Sequence, residues 1–121
     1  MYNANGTERE DDAYGSTNLH MDLTDAVNIM VWAAACSDGS PGYALWHIFP
    51  PWASNIIRRF LWEEGFRGPG DSIHSQGFYL NDARRDRLAA KYNIHPYTIR
   101  QYKNEAVFIP AKCAHQVRCN P

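Results

Sequence analysis

Three residues of this sequence have the types and the spacing of a metal site. One residue separates His20 from Asp22. Residues two apart in an extended strand lie on one face, so this imidazole and this carboxylate would converge. His115, which follows an apolar stretch and Pro110, is the best candidate for the third ligand that such a pair needs. Two histidines and one carboxylate are the ligand set typical of non-haem Fe(II) sites, which keep other coordination positions open.

The same residues allow other interpretations. A His-x-Asp pair by itself is a weak pattern that chance often produces. Cys113, His115 and Cys119 have a C-x-H-x₃-C spacing, and together with His20 or His74 they could hold zinc. No C-x₂-C pair accompanies them, so zinc is the less favoured alternative. The choice between iron and zinc depends on the elements that carry these residues.

Composition limits the classes of protein to consider. The chain has 121 residues, which predicts one domain, and 45% are apolar, which is typical of a globular protein. Its formal net charge of −1 argues against a general binder of nucleic acid or acidic lipid. The three cysteines argue against a disulfide framework. Neither a secretory signal nor an apolar run of membrane-spanning length is present, so we expect no membrane partner.

Strands are predicted on both sides of a helical middle segment. Val27–Trp32 is rich in β-branched and aromatic residues and predicts a buried strand. Four further ranges also predict strands, and they are Ala44–Phe49, Pro96–Tyr102, Ala106–Ile109 and His115–Cys119. One helix is predicted from Ser54 or Asn55 to Gly65, and a second from Asn81 or Asp82 to Tyr92. Strands that do not alternate with helices favour an antiparallel sheet or barrel with an insert.

Three segments of the chain resemble successive segments of a JmjC domain. They are GSTNLHMDLTDAVNIMV, PGYALWHIFP and NEAVFIPAKCAHQV. More narrowly, the chain resembles the lysine demethylase three and hairless branch of JmjC histone demethylases. Relatives there carry G-T-T-N-L-H-L-D-V-S-D-A-V-N and A-V-F-I-P-A-G-x-x-H-Q-V. The resemblance covers Tyr2 to Val117, and three ordered motifs are much more specific than His-x-Asp.

The resemblance implies a set of site residues. The positions that match the family's iron ligands are His20, Asp22 and His115. Fe(II) and the cosubstrate 2-oxoglutarate are therefore expected, with Thr17 and Asn28 as candidate contacts of the cosubstrate. A buried amide bonded to a neighbouring strand is an equally good prediction for Asn28. Tyr2 matches a tyrosine of the methyl-lysine pocket in some relatives, although packing is the simpler role for this side chain.

The implied fold is a double-stranded β-helix of the jelly-roll, cupin-like type. The class is thus all-β with a helical insert, and we expect one partial JmjC domain that is incomplete at both ends. Its expected parts are an acidic segment 1–14, the first metal-bearing strands 15–49, the helical insert 50–95, and the strands with the distal histidine 96–121. Unpaired strand edges of a partial barrel would allow self-association.

One expected feature of the cosubstrate site is missing from the motifs. Many JmjC enzymes use a lysine at the position of Ala44 to pair with the distal carboxylate of 2-oxoglutarate. Relatives in the resembled branch place a lysine instead on a closing strand beyond the distal histidine, and we expect this chain, which stops at Pro121, to lack that strand. Within the chain, Arg100 and Lys103 are the remaining candidates for this cation, although a solvated strand face or turn is the simpler prediction for both.

The function that the resemblance implies is demethylation of a lysine on a histone tail, of the histone H3 lysine nine class. Chromatin would then be the partner and the nucleus the location. Two alternatives stay open. One is a catalytically inactive, truncated JmjC fold that acts as a metal-binding or chromatin-interaction module. The other is an oxygenase that hydroxylates a protein side chain.

Overall fold

A computed structural model describes residues 16–120 except 34, 37, 69, 75 and 76. The acidic segment 1–14 and Tyr2 lie outside the described residues. The strands are β1 Ser16–His20, β2 Ala26–Ile29, β3 Tyr43–Ile48, β4 Tyr97–Gln101, β5 Ala106–Ile109 and β6 His115–Asn120. A short 3₁₀ turn Pro51–Ala53 leads into α1 Ser54–Glu63, and α2 is Asp82–Tyr92. No helix in the described part of the chain is long and apolar enough to span a membrane.

The strands form two antiparallel sheets. The larger sheet has the order β1-β6-β3-β4, and the smaller sheet pairs β2 with β5. Apolar side chains from both sheets form one buried cluster, with Ala44 and Trp46 from the larger sheet and Val107 and Ile109 from the smaller. Two packed antiparallel sheets, with two helices between β3 and β4, confirm the predicted all-β, jelly-roll fold with a helical insert.

The helices cover a second core. In α1 the apolar residues Ile57, Phe60 and Leu61 are buried. Asn81 caps α2, since its side chain accepts a hydrogen bond from the backbone N–H of Arg84 at 2.9 Å. Both helices occur where they were predicted. Leu88, in the middle of α2, is fully buried in the same cluster as α1, so the insert packs as part of the domain.

The prediction of a buried strand over Val27–Trp32 is wrong in its burial and in its end. The strand β2 ends at Ile29, and the exposed fractions are 62% for Val27 and 73% for Trp32. Val27 is paired with Phe108 of β5, which is also largely exposed. Successive side chains of a strand point to opposite faces of its sheet. In the described chain one face of the β2–β5 sheet packs inward and the other is open, so only alternate side chains of the segment can be buried. Apolar composition alone did not distinguish these two faces.

A buried polar group connects β6 to the segment before α2. Gln116 is fully buried; its Oε1 accepts from the backbone N–H of Leu80 at 2.7 Å, and its Nε2 donates to the Leu80 carbonyl at 2.9 Å. Its Nε2 also lies 3.3 Å from Nδ1 of His47. Burial, followed by the nearby charges of Arg85 and Arg118, lowers the pKa of His47 from 6.5 to about 4. The folded protein therefore keeps His47 neutral.

This lowered pKa predicts a loss of stability in mild acid. As the pH falls below 6.5, the unfolded chain binds a proton on His47 that the folded chain resists down to about pH 4. Stability is therefore lost as the pH falls through this window, and we expect His47 to account for about 2 kcal/mol between pH 7 and pH 5. Urea unfolding of metal-free protein at both pH values measures it. His47→Gln should remove most of this difference, whereas His95→Gln, at an exposed histidine, should not; equal pH dependence in the two variants would contradict the prediction.

Candidate metal centre

Three side chains able to bind a metal meet where β1 ends and β6 begins. His20, the last residue of β1, is paired in register with His115, the first residue of β6, and their ring centroids are 4.2 Å apart. The carboxylate of Asp22 reaches the same place, with Oδ2 3.8 Å from Nε2 of His115. One potential ligand atom from each residue lies within 4.8 Å of the other two. A single ion could therefore contact all three side chains.

Asp22 lies outside the strand that carries His20, so the prediction that both residues lie on one extended strand is wrong. β1 ends at His20, and Asp22 lies in the segment that follows. The carbonyl of Asp22 accepts a hydrogen bond from the backbone N–H of Lys112 at 2.8 Å. The carboxylate of Asp25 accepts one from the N–H of Ala111 at 2.7 Å. Two backbone amides of the turn before β6 thus hold the aspartate segment against the distal histidine.

Backbone carbonyls orient both imidazoles. Nδ1 of His20 lies 2.8 Å from the carbonyl of Asn18, and Nδ1 of His115 lies 2.9 Å from the carbonyl of Cys113. A carbonyl only accepts, so each Nδ1 carries the proton and each Nε2 keeps its lone pair for a ligand. Burial is the largest influence on His115 and lowers its pKa, against the raising effect of the Cys113 carbonyl. Because burial outweighs the carbonyl, the pKa is lowered and His115 is a neutral imidazole near pH 7, which is the form that binds metals.

A cavity of about 520 Å³ opens beside the three residues, between the two sheets. Thr17, Asn28 and Gln101 contribute polar side chains to its lining, and Trp46 contributes an aromatic ring. In the described chain no lysine or arginine lines this cavity. The neutral polar lining suits a ligand that needs hydrogen-bond donors next to a metal ion.

The structure brings together most of the predicted site residues. Thr17 and Asn28 both line the cavity that borders the histidine and aspartate cluster. The Oδ1 of Asn28 also accepts from Nε2 of Gln101 in β4 at 3.2 Å, but Asn28 is exposed, so the prediction of a buried amide is wrong in its burial. The contact of Asn28 with a cosubstrate stays a prediction. The candidate cations lie elsewhere. The guanidinium of Arg100 stacks over the Tyr43 ring at 5.1 Å, and Lys103 is exposed in the turn before β5.

Two residues of the site were not predicted from the sequence. Trp46 stacks on His115, with ring centroids 6.1 Å apart and planes 28° apart, and its indole N–H donates to Oε1 of Gln101 at 2.9 Å. Gln101 is only 1% exposed. A glutamine at the end of an otherwise β-prone segment was the available signal, because a strand that buries a polar side chain must also supply its partners.

The zinc alternative receives no geometric support. Within the described ranges, the only group of three or more potential metal ligands is His20, Asp22 and His115. His74 and Cys119 are exposed and outside this group, and Cys113 is buried. Burial raises the pKa of the Cys113 thiol, which disfavours the thiolate that zinc requires.

Comparison with known proteins identifies the family. Residues 16–121 match the family described as "JmjC domain, hydroxylase". The chain belongs to the JmjC family. This JmjC chain is also similar to the Drosophila melanogaster protein named "Lysine-specific demethylase 3", with 38% identity over 98% of the chain. Human "Lysine-specific demethylase 3A" is 36% identical over 97% of the chain.

The relatives are much longer than this JmjC chain. The match spans 18% of the Drosophila protein and 12% of the human protein. A more distant human relative, "Probable JmjC domain-containing histone demethylation protein 2C", is 29% identical over 90% of the chain, which spans 6% of that protein. The similarity therefore concerns one domain of each relative.

The donor atoms of this JmjC centre fit ferrous iron. Two imidazole nitrogens and one carboxylate oxygen are a mixed set that Fe(II) accepts, and a set without thiolates disfavours a structural zinc site. His20 and His115 come from one corner of the larger sheet, Asp22 comes from the segment after β1, and the cavity borders all three. Coordination positions facing the cavity would stay available to a bidentate ligand and to O₂.

Removing either His20 or Asp22 should abolish metal binding with little effect on folding. We expect His20→Ala and Asp22→Ala to weaken Fe(II) or Co(II) binding by more than about 100-fold, because two remaining ligands hold an ion poorly. Asp22 has a side chain that is 48% exposed, so little packing is lost. Anaerobic metal titration and urea unfolding measure the two effects, with His74→Ala as the control. Stoichiometric metal in both variants would disprove the assignment.

The turn that holds Asp22 contains a strained residue. Lys112 has a φ of 65°, in the left-handed region that side chains disfavour, where the related family segment carries glycine. We expect Lys112→Gly to raise the free energy of unfolding by about 1 kcal/mol. Lys103→Gly is the matched control, because Lys103 lacks a positive φ and a glycine there relieves no strain. This substitution should destabilise the fold, since glycine adds conformational entropy to the unfolded chain. Urea unfolding distinguishes the two signs, and destabilisation by both substitutions would contradict the prediction.

Proposed function

We propose that this chain forms the catalytic core of an Fe(II)- and 2-oxoglutarate-dependent oxygenase that demethylates lysine on a histone tail. The main support is the cluster of His20, Asp22 and His115 beside a cavity, in a member of the JmjC family. Similarity to relatives named as lysine demethylases supports the reaction.

The three proposed ligands each have a separate task. His115 is a buried, neutral imidazole whose orientation depends on the Cys113 carbonyl. Asp22 supplies the negative charge that offsets part of the charge of a divalent ion. His20 completes the face, so the open positions lie toward the cavity. Bound Fe(II) with 2-oxoglutarate would supply the O₂-dependent oxidation of an N-methyl C–H bond, after which the methyl group leaves as formaldehyde.

The polar lining of the cavity supports a carboxylate-bearing cosubstrate. Thr17 offers an exposed hydroxyl and Asn28 an amide, and each can donate a hydrogen bond to an anionic oxygen. These are the two residues proposed to contact 2-oxoglutarate. The Trp46 ring stacks on His115, and both residues line the same cavity.

The substrate proposal follows from the relatives. We propose methyl-lysine of the histone H3 lysine nine class, with chromatin as the partner and the nucleus as the location. A protein hydroxylase is the second candidate, because the matched family description includes that activity. A metal-binding or chromatin-interaction module without turnover is the third, and its support is the lack of a lysine or arginine among the described cavity-lining residues.

A single anaerobic titration distinguishes these candidates. Fe(II) followed by 2-oxoglutarate should produce the visible charge-transfer band of a bidentate 2-oxo acid on ferrous iron. The band should bleach when O₂ is admitted, and methylated histone H3 peptides should then release formaldehyde. Asp22→Ala is the negative control. Iron binding without a band indicates the inactive module, whereas a bleaching band with no formaldehyde favours the hydroxylase.

A further inference from the structure

Gln101, the last residue of β4, connects the larger sheet to the smaller one through its side chain. Its Oε1 accepts the indole N–H of Trp46 at 2.9 Å. Its Nε2 donates to the carbonyl of Asn28 at 3.0 Å and to the carbonyl of Glu105 at 2.9 Å. The amide therefore links β4 to β2, to the turn before β5 and to a ring in β3.

The orientation of this amide is determined by its partners. An indole N–H can only donate, so it requires the oxygen of Gln101. Backbone carbonyls can only accept, so they require the nitrogen. A flipped amide would leave the buried Trp46 N–H without an acceptor and would turn the Gln101 oxygen toward two carbonyl oxygens, which is costly in the interior. Gln101 thus has one favourable orientation.

The oxygen end of Gln101 controls the position of Trp46. The Trp46 side chain is 4% exposed, and its one polar atom is satisfied by Gln101. The same ring stacks on the imidazole of His115. A shift of the indole would therefore change the packing against a proposed iron ligand and the shape of the cavity beside it.

The nitrogen end of Gln101 controls Asn28. Oδ1 of Asn28 lies 3.2 Å from Nε2 of Gln101, so the asparagine oxygen faces the glutamine and its NH₂ group is directed elsewhere. Asn28 lines the cavity, and in the described chain no residue accepts a hydrogen bond from this NH₂ group. The amide is consequently oriented as a donor, which suits a carboxylate in the cavity and disfavours a cation.

We propose that Gln101 is a positioning residue, which holds Trp46 against His115 and orients Asn28 as a hydrogen-bond donor to a carboxylate ligand. This inference rests on the proposed function, since the ligand is the 2-oxo acid. Gln101 contacts neither the metal nor the cosubstrate in this scheme. It acts through two cavity-lining side chains on different sheets.

Gln101→Met and Gln116→Met form a matched pair that tests the proposal. Each substitution replaces a buried, hydrogen-bonded glutamine by a methionine of similar volume. Gln116 differs from Gln101 in its partners, because it bonds to the Leu80 backbone on the opposite side of the larger sheet. We expect both to lower stability. Only Gln101→Met should weaken 2-oxoglutarate binding to the Fe(II) form, by about ten-fold or more, and change the Co(II) absorption spectrum.

Trp46→Phe keeps the test valid if Gln101→Met does not fold. This variant retains an aromatic ring in the core and removes only the N–H that Gln101 accepts, so it should change the Co(II) spectrum in the same direction. Equal 2-oxoglutarate affinity in the two glutamine variants, or a wild-type spectrum in Trp46→Phe, would overturn the proposal. If the wild-type chain binds Co(II) but its Fe(II) form gives no charge-transfer band with 2-oxoglutarate, the proposed function is contradicted instead. The Co(II) spectra of the variants then decide the role of Gln101.

Discussion

The antiparallel pairing of β1 with β6 is the constraint on which the rest of the structure depends. It places His20 opposite His115, although these residues lie near opposite ends of the described chain. The turn before β6 then bonds to the Asp22 segment through backbone amides, which adds the carboxylate to the histidine pair. Without this pairing the chain would have two strands with unmatched histidines and no site.

β6 serves the site and the second core at the same time. His115 and Val117 are directed to the cavity, whereas Gln116 between them bonds to the segment before α2. β3 shows the same division, with Trp46 beside His115 and His47 beside Gln116. Because alternate residues of one strand have these different partners, a change in register would disrupt the metal centre and the helical insert together.

Charge and hydrogen bonding in the site are consistent with one purpose. Backbone carbonyls hold Nδ1 of both histidines, which leaves each Nε2 available, and Asp22 is the only acidic member of the cluster. The cavity offers neutral donors, and Gln101 determines which atoms of Trp46 and Asn28 remain available. An arrangement of this kind can bind a divalent ion together with an anionic chelator.

The sequence by itself determined the secondary structure well and the family decisively. The helices from Ser54 and from Asp82 and the strands around Trp46, Val107 and Val117 were predictable because local patterns of apolar residues, caps and prolines decide them. The motifs around His20 and His115 also pointed to the JmjC family, which the comparisons show.

Only the tertiary structure decided which residues meet and which faces are buried. Asp22 reaches the histidines through a turn rather than along a strand, and Val27 is exposed although its segment is apolar. Gln101 acquires its partners from three different elements. These features depend on contacts between residues distant in sequence, and local patterns of side-chain type carry no information about such contacts.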